Sequence, residues 1–243
     1  MRHKNVVIGL PVYNGEKFIK HAIDSILRQS YKNFELIIPD NCSEDNTKNI
    51  CKEYVSKDKR VSYIRHSKNI GTHFNFKFLL DKAKRKYFMW AAADDIWLPN
   101  FLNSCVKSLD NDKKANYAMT DFIVVSRFSS IFNIELTNGI SFIETKDREP
   151  RLLAYSKKKF DTHIDNLFYS VWRREFLQKI LVELGDIYFS KYPSIHVVQS
   201  ALYKSHGKFI PYKFFLKTYS KIPPGHFYYK IKKYFFKKKQ TYP

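Results

Sequence analysis

Nine segments between residues 5 and 126 alternate between two patterns, and that alternation constrains the fold more than any other feature of the chain. "NVVIGLPV" (5–12), "FELIIPD" (34–40), "RVSYIRH" (60–66), "KYFMWAAA" (86–93) and "NYAMTDFIVVS" (116–126) are short, apolar and rich in β-branched or aromatic residues, as strands are. The stretches between them read as helices. In the first, over 14–30, Phe18, Ile19, Ala22, Ile23, Ile26 and Leu27 share one helical face. A second helix is expected from Ser43, a third over 72–84 and a fourth over 98–110. Apolar strands without strict alternation are covered on both faces. The pattern therefore predicts an α/β fold: a mostly parallel central sheet flanked by helices. Ligands of such sheets bind beyond the carboxyl ends of the strands. Here those ends are Pro11–Asn14, Asp40–Ser43, His66–Gly71 and the pair Asp94–Asp95.

Beyond residue 126 the pattern weakens. "SIFNIELTNGISFIE" (130–144) suggests a hairpin about Asn138–Gly139. Residues 161–184 suggest a short strand leading into a helix, and residues 194–212 a helix, a Gly207 C-cap and a strand.

Lys and Arg number 43 against 23 Asp and Glu, a net charge of +20, and the excess is uneven. No Asp or Glu follows Asp186, and residues 187–243 hold twelve lysines and no arginine. In the tail, Phe227, Tyr228, Ile231, Tyr234 and Phe235 share one helical face, with lysines 230, 232, 233, 237 and 238 on the other. Such asymmetry points to an anionic partner. An RNA-binding signature is missing and the tail lacks arginine, so nucleic acid is not the expected partner. No window of 18 apolar residues suggests a membrane span. The apolar run after "MRHKN" is too short for a signal peptide, and a first strand is the better reading. Cys42, Cys51 and Cys105 lack CxxC spacing and fit a reducing compartment.

The strand ends carry the chemistry. Neither GxGxxG nor GxxxxGK[ST] follows the first strand, so the glycine cradles for nucleotides are absent. Asp94 and Asp95 would face opposite ways within a strand, but in a turn beyond it both reach one ligand. Such oxygen donors suit Mg²⁺ or Mn²⁺ bridging phosphates. The alternative is that they are ordinary acids opening the next helix. "PDNCSEDNT" (39–47) lacks the glycine and glutamate of a calcium loop, and Asp40 stands better placed to read a base or ribose.

Together, "VVIGLPVYNGEKFIKHAIDSILRQSYKNFELIIPDNCSEDNT", "NIG" and "KYFMWAAADDIWLPNFL" resemble a family 2 glycosyltransferase of the GT-A fold, over roughly residues 5 to 110. The resemblance implies a nucleotide diphosphate-sugar donor, most often a UDP-sugar. It implies that Tyr13 stacks on the base, that Pro11 and Val12 give backbone contacts, and that Asp40 reads the base. In the family's D-x-D-D turn Asp94 would contact ribose and Asp95 would hold Mn²⁺ or Mg²⁺; the first acid is replaced by Ala92. His73 and Asn75, after Gly71, are placed to approach the donor phosphates, or simply begin a helix. Trp97 is read as sugar-site lining or core, and Arg173 and Arg174 as diphosphate ligands or surface.

The family's base, usually an Asp or Glu before a "GKF" stretch, falls near His196, with Asp186 and Asp165 (or Asp161) in reserve. An imidazole suits proton transfer near neutrality. The implied organisation is a GT-A domain over 1–215, with a nucleotide-binding half (1–110) and an acceptor half (111–215), then a basic tail (216–243). The expected product is cell-surface polysaccharide or lipooligosaccharide, made by inversion on a saccharide or lipid-linked acceptor. The expected location is cytoplasmic, peripheral on the inner face of the cytoplasmic membrane, with the tail on anionic lipid. The alternatives are a GT-A fold without activity, kept as an interaction module, and a basic nucleic-acid-binding protein.

Overall fold

A computed structural model describes residues 5–128, 131–136, 141–158, 164–189 and 193–219. The strand–helix alternation is realised. β1 (Val6–Gly9) leads to α1 (Ile19–Leu27), β2 (Phe34–Asp40) to α2 (Thr47–Lys57), β3 (Val61–Arg65) to α3 (Thr72–Lys82) and β4 (Tyr87–Trp90) to β5 (Ile96–Trp97) and α4 (Phe101–Asn111). β6 (Tyr117–Phe128) and β7 (Ile131–Leu136) follow, then α5 (Arg148–Lys158), β8 (Val171–Arg173), α6 (Arg174–Leu184), α7 (Pro193–Lys204) and β9 (Lys208–Tyr219). Short 3₁₀ turns occupy Ser141–Glu144, Ile164–Tyr169 and Gly185–Phe189.

The strands form one sheet in the order β3-β2-β1-β4-β8-β6-β9-β5, with β7 paired to β6. β3, β2, β1 and β4 are parallel neighbours. β8 runs antiparallel to both β4 and β6, so β6 points the same way as β4. β9 is parallel to β6, and β5 is antiparallel to β9. β1 and β4 are buried at every residue, which explains why neither alternates.

The interior is aromatic. Trp90 stacks on Phe168 with centroids 4.2 Å apart, and its indole N–H donates to Phe76 O at 3.0 Å. Trp172 is likewise buried and donates to Phe168 O at 3.0 Å. Both rings thus bury their area with the polar atom satisfied. Gly207 is close-packed rather than a helix cap. It follows α7 by three residues, and a Cβ there would stand 2.3 Å from the Tyr117 ring.

Several expectations shift. α1 starts at Ile19 and α2 at Thr47, later than expected, because the residues before them are engaged at the strand-end rim. The hairpin expected about Asn138–Gly139 is replaced by a pairing of β7 with β6, Phe128 opposite Ile131, and Ser141–Glu144, expected in its second strand, is a 3₁₀ turn; Asn138–Gly139 lies outside the described residues. β9 continues to Tyr219, across the 215/216 boundary expected for the domain. The rest of the basic tail lies outside the described residues, as does Asp161. Among the described residues no helix is long and apolar enough to cross a membrane.

Candidate functional site

The register brings the expected residues together. Gly9 pairs with Ile37 on one side and Trp90 on the other, and Val12 bridges Asp40. The Asn41 N–H donates to Val12 O at 2.8 Å and the Ala91 N–H to Gly9 O at 2.8 Å, so Tyr13 follows β1, Asn41 follows β2 and the turn carrying Asp94 follows β4, all at the carboxyl ends of three neighbouring strands. Pro11 and Val12 are buried, and the Val12 N–H donates to Pro39 O at 3.0 Å. Tyr13 is 48% exposed, so of these three it alone offers its side chain to a ligand.

Two loops clasp behind Tyr13. The Asn14 N–H donates to Ser43 Oγ at 2.9 Å, and Asn14 Oδ1 accepts from the Glu44 N–H at 2.9 Å. The Gly15 N–H donates to Thr47 Oγ1 at 2.8 Å. Glu16 and the 45–46 turn exchange bonds: the Glu16 N–H donates to Asp45 Oδ2 at 3.0 Å, and the Asn46 N–H to Glu16 Oε2 at 3.0 Å. Burial works to raise the Asp45 carboxyl, but the bonds it accepts from Thr47 and the Glu16 N–H outweigh that and hold it low. Asn14 and Cys42 sit in the left-handed region at φ 50° and 66°. Asn tolerates that conformation, whereas Cys is strained there.

Asp40 closes β2 with no solvent exposure. Its Oδ1 accepts from the Ser43 N–H at 2.8 Å and from the Ser43 hydroxyl, and its Oδ2 accepts from the Tyr63 hydroxyl. Arg65 Nε stands 3.7 Å from Oδ2. A buried carboxylate needs such compensation. Burial, then the bond to Asp40, raises the Tyr63 phenol, which keeps it a donor. The same carboxylate, after burial, helps push the Cys51 thiol up to about 12, and Cys105 is raised by burial alone. Neither thiol is a nucleophile at neutral pH.

Asn75 takes a different post from the one expected. It is 2% exposed; its amide N–H donates to Pro39 O at 3.1 Å, and its Oδ1 meets His66 Nε2 at 3.0 Å. It ties the ends of β2 and β3 together instead of facing phosphates. His73, half-buried, sits on the first turn of α3. Beside it, Asn41 accepts from the Ile70 N–H at 2.8 Å and donates to Asn69 at 2.7 Å. Sequence reasoning passed over this Asn41–Asn69 link.

Asp94 and Asp95 lie in the turn between β4 and β5, Asp94 half-buried and Asp95 wholly buried. They do not open a helix: β5 intervenes, and α4 begins at Phe101. The turn is anchored on its far side, where the Trp97 N–H donates to Ser25 Oγ at 3.1 Å and Gln29 Nε2 donates to Trp97 O at 3.2 Å. Trp97 is 2% exposed and packs on Phe101, so it is core. Arg173 and Arg174 are also structural, donating to the carbonyls of Leu109 at 2.6 Å and Arg85 at 2.9 Å. Among the described residues no group of three or more His, Cys, Asp or Glu could hold a metal. The oxygen-only pair still fits a hard divalent cation, whose remaining positions phosphates and water would fill.

On the acceptor side, His196 lies half-buried in the first turn of α7. That helix packs on the 3₁₀ turn Ile164–Tyr169, which carries Phe168 against Trp90. Asp165 begins that 3₁₀ turn; its side chain is outside those described. Asp186 is exposed on the turn Gly185–Phe189. Sequence reasoning missed Asp121. It is 7% exposed, at an irregularity where β6 slips against β9 between Thr120 and Phe122. The pairs of Trp172 with Phe88 and Tyr117 put it near the level of Ala92. The available signal was an acid inside an otherwise apolar strand.

An α/β sheet with an acid turn, an exposed tyrosine and a buried aspartate at one rim defines a protein that binds its ligand across parallel strand ends. Comparison with known proteins narrows the class. The family model for glycosyl transferase family 2 matches residues 7–181, and the chain belongs to that family. An uncharacterised glycosyltransferase of Rickettsia typhi is 30% identical over 167 residues, 68% of this chain and 47% of the relative. The chain spans about half the length of the curated relatives it matches first. Among solved structures, TarS of S. aureus in complex with UDP-GlcNAc superposes with a TM-score of 0.67 at 16% identity, over 90% of this chain and 59% of that one. A mannosyltransferase of Pyrobaculum calidifontis in complex with GDP-Man and Mn²⁺ gives a TM-score of 0.59 at 16% identity, over 96% and 61%. The fold is GT-A.

Proposed function

We propose that the chain moves a sugar from a nucleotide diphosphate-sugar, a UDP-sugar, onto a hydroxyl of a saccharide or lipid-linked acceptor, with inversion, in the synthesis of a cell-surface polysaccharide or lipooligosaccharide. The observation that carries this is that Tyr13, Asp40 and the turn holding Asp94 stand at the carboxyl ends of three adjacent parallel strands. The UDP-GlcNAc and UDP complexes of TarS support the choice of donor. In this reading Tyr13 stacks on the base beside the backbone of Pro11 and Val12, and Asp94 meets the ribose; Asp40, expected to read the base itself, is wholly buried and spent on Ser43 and Tyr63, and shapes that edge from behind. Asp95 would hold Mn²⁺ or Mg²⁺, which when bound offsets negative charge on the departing diphosphate.

Titrating UDP calorimetrically with and without Mn²⁺ tests the donor site. Metal-dependent binding is expected; no heat under either condition would refute the reading.

His196 takes the proton of the attacking hydroxyl, with Asp186 and Asp165 in reserve. General bases typically contribute 10²–10⁴-fold. His196→Ala is therefore expected to lower kcat by about 10²-fold or more while donor binding stays unchanged. A variant with unaltered kcat would move the role to an acid on that side, and Asp121→Asn is then the variant to measure.

A further inference from the structure

The sheet has a second rim, at the amino-terminal ends of β6 and β9, away from the donor turn. A cavity of about 990 Å³ opens there, between the residues leading into those strands and the start of α5. Arg151 forms part of its lining and is 2% exposed. Its Nε donates to Leu202 O at 2.6 Å, and its Nη1 to Thr145 O at 2.5 Å and Lys146 O at 3.0 Å. No carboxylate pairs with it among the described residues, and its Nη2 makes no hydrogen bond there. Burial lowers its pKa, yet a guanidinium stays charged throughout. Asp147 compensates the cation only through space, without an ion pair, so a buried guanidinium with Nη2 unspent beside a cavity has room for a closer anion.

The rest of the wall agrees. Lys114, Lys146 and Arg148 are exposed at the mouth. Arg148 is braced: it lies 4.7 Å over the Tyr203 ring and donates to the Tyr203 hydroxyl at 3.1 Å. Lys204 also lines the space but is already paired with Glu183 at 2.5 Å. The cavity's two acids, Asp147 and Glu149, sit at the start of α5, where the helix dipole favours them. His206 is engaged with Asp112 at 3.4 Å.

We propose that this cavity is a phosphate-binding site, with Arg151 as its floor and Lys146, Arg148 and Lys114 as its rim. Its ligand is a phosphate monoester or diester. The group comes from a phospholipid headgroup or from a soluble phosphate compound; the site is independent of the donor reading. With Nε and Nη1 spent on carbonyls, the two N–H groups of Arg151 Nη2 remain to donate to a phosphate oxygen, and the exposed lysines at the mouth add charge without fixed geometry.

The full chain is titrated with inorganic phosphate and, separately, sedimented with phosphatidylcholine vesicles with and without phosphatidylglycerol. The variant is Lys146→Ala with Arg148→Ala, both exposed and neither part of the core. Donor-turn residues are intact in both chains, so phosphate held there contributes equally. Phosphate affinity is expected to fall about tenfold in the double variant, with UDP binding unchanged. If anionic-vesicle binding falls in parallel, the phosphate belongs to a lipid headgroup; if vesicle binding is unchanged, it belongs to a soluble compound. Arg151→Lys, which keeps the charge and loses the fork, should also weaken phosphate binding. Phosphate affinity equal in the wild type and the double variant would overturn the site. Loss of vesicle binding alone would do so too, because the recognised group would not then be phosphate.

Discussion

If the proposed function holds, Asp95→Asn is expected to lower the rate of sugar transfer by about 10²–10³-fold, the loss typical when one preorganised electrostatic partner of a developing charge is removed. Asparagine preserves shape and one acceptor oxygen, so the thermal transition stays close to that of the parent. The side chain is wholly buried, in a turn anchored through Trp97 to Ser25 and Gln29. A buried carboxylate in that position is either a core group satisfied by its neighbours or a ligand waiting for a cation. The two cases separate in one measurement. If it is only a core group, the substitution moves the melting temperature and leaves the Mn²⁺ dependence of transfer intact. If it holds the cation, the rate falls and added Mn²⁺ no longer restores it.

The second large effect is on stability. Asp40→Ala is expected to destabilise the fold by roughly 3 kcal/mol, because it leaves the Ser43 N–H and hydroxyl and the Tyr63 hydroxyl without their acceptor in a buried place. In a chain of this size that is a fall in Tm of on the order of 10 °C. Tyr63→Phe removes one donor and leaves the carboxylate its other partners, so it should cost only about 1 kcal/mol. Equal losses in the two variants, read by denaturant unfolding, would show that the aspartate is not the hub of that cluster.

The first half of the sheet was legible because its strands are apolar on both faces and end abruptly in polar residues. β2 begins and ends where "FELIIPD" does. Helix starts were less legible. Residues 14–16 and 43–46 have helix-compatible composition, yet the N–H groups of Asn14, Gly15, Glu16 and Asn46 donate to side-chain oxygens of the opposite loop across the clasp. Only the juxtaposed loops reveal that competition. β5 was illegible, since a two-residue strand has no pattern and its partner β9 comes much later in the chain. Gly207 shows the same limit: next to a helix end it reads as a cap, while its reason is the Tyr117 ring. For the site, residue types at strand ends pointed to Tyr13, Asp40, Asp94 and Asp95. Partners within the rim, such as Asn75 with Pro39 and His66, could be found only in three dimensions. Asp121 was signalled only by its charge inside an apolar strand, and the slip of β6 against β9 that sets it apart appears only in three dimensions.

The pairing of β5 with β9 has a consequence for the nascent chain. Ile96 meets Leu216 and Trp97 meets Phe215. The acid turn is therefore bounded by β4, whose parallel partner β1 is made long before it, and by β5, whose strand partner is among the last described residues. A polypeptide still on the ribosome can assemble β1 to β4 with their helices from short-range closures. On the far side of the acid turn only the α1 contacts from Ser25 and Gln29 are available early; the β5–β9 pairing waits for residue 216, and that long closure carries the larger entropic cost. The acid turn is thus held first by α1 alone and gains its strand frame last.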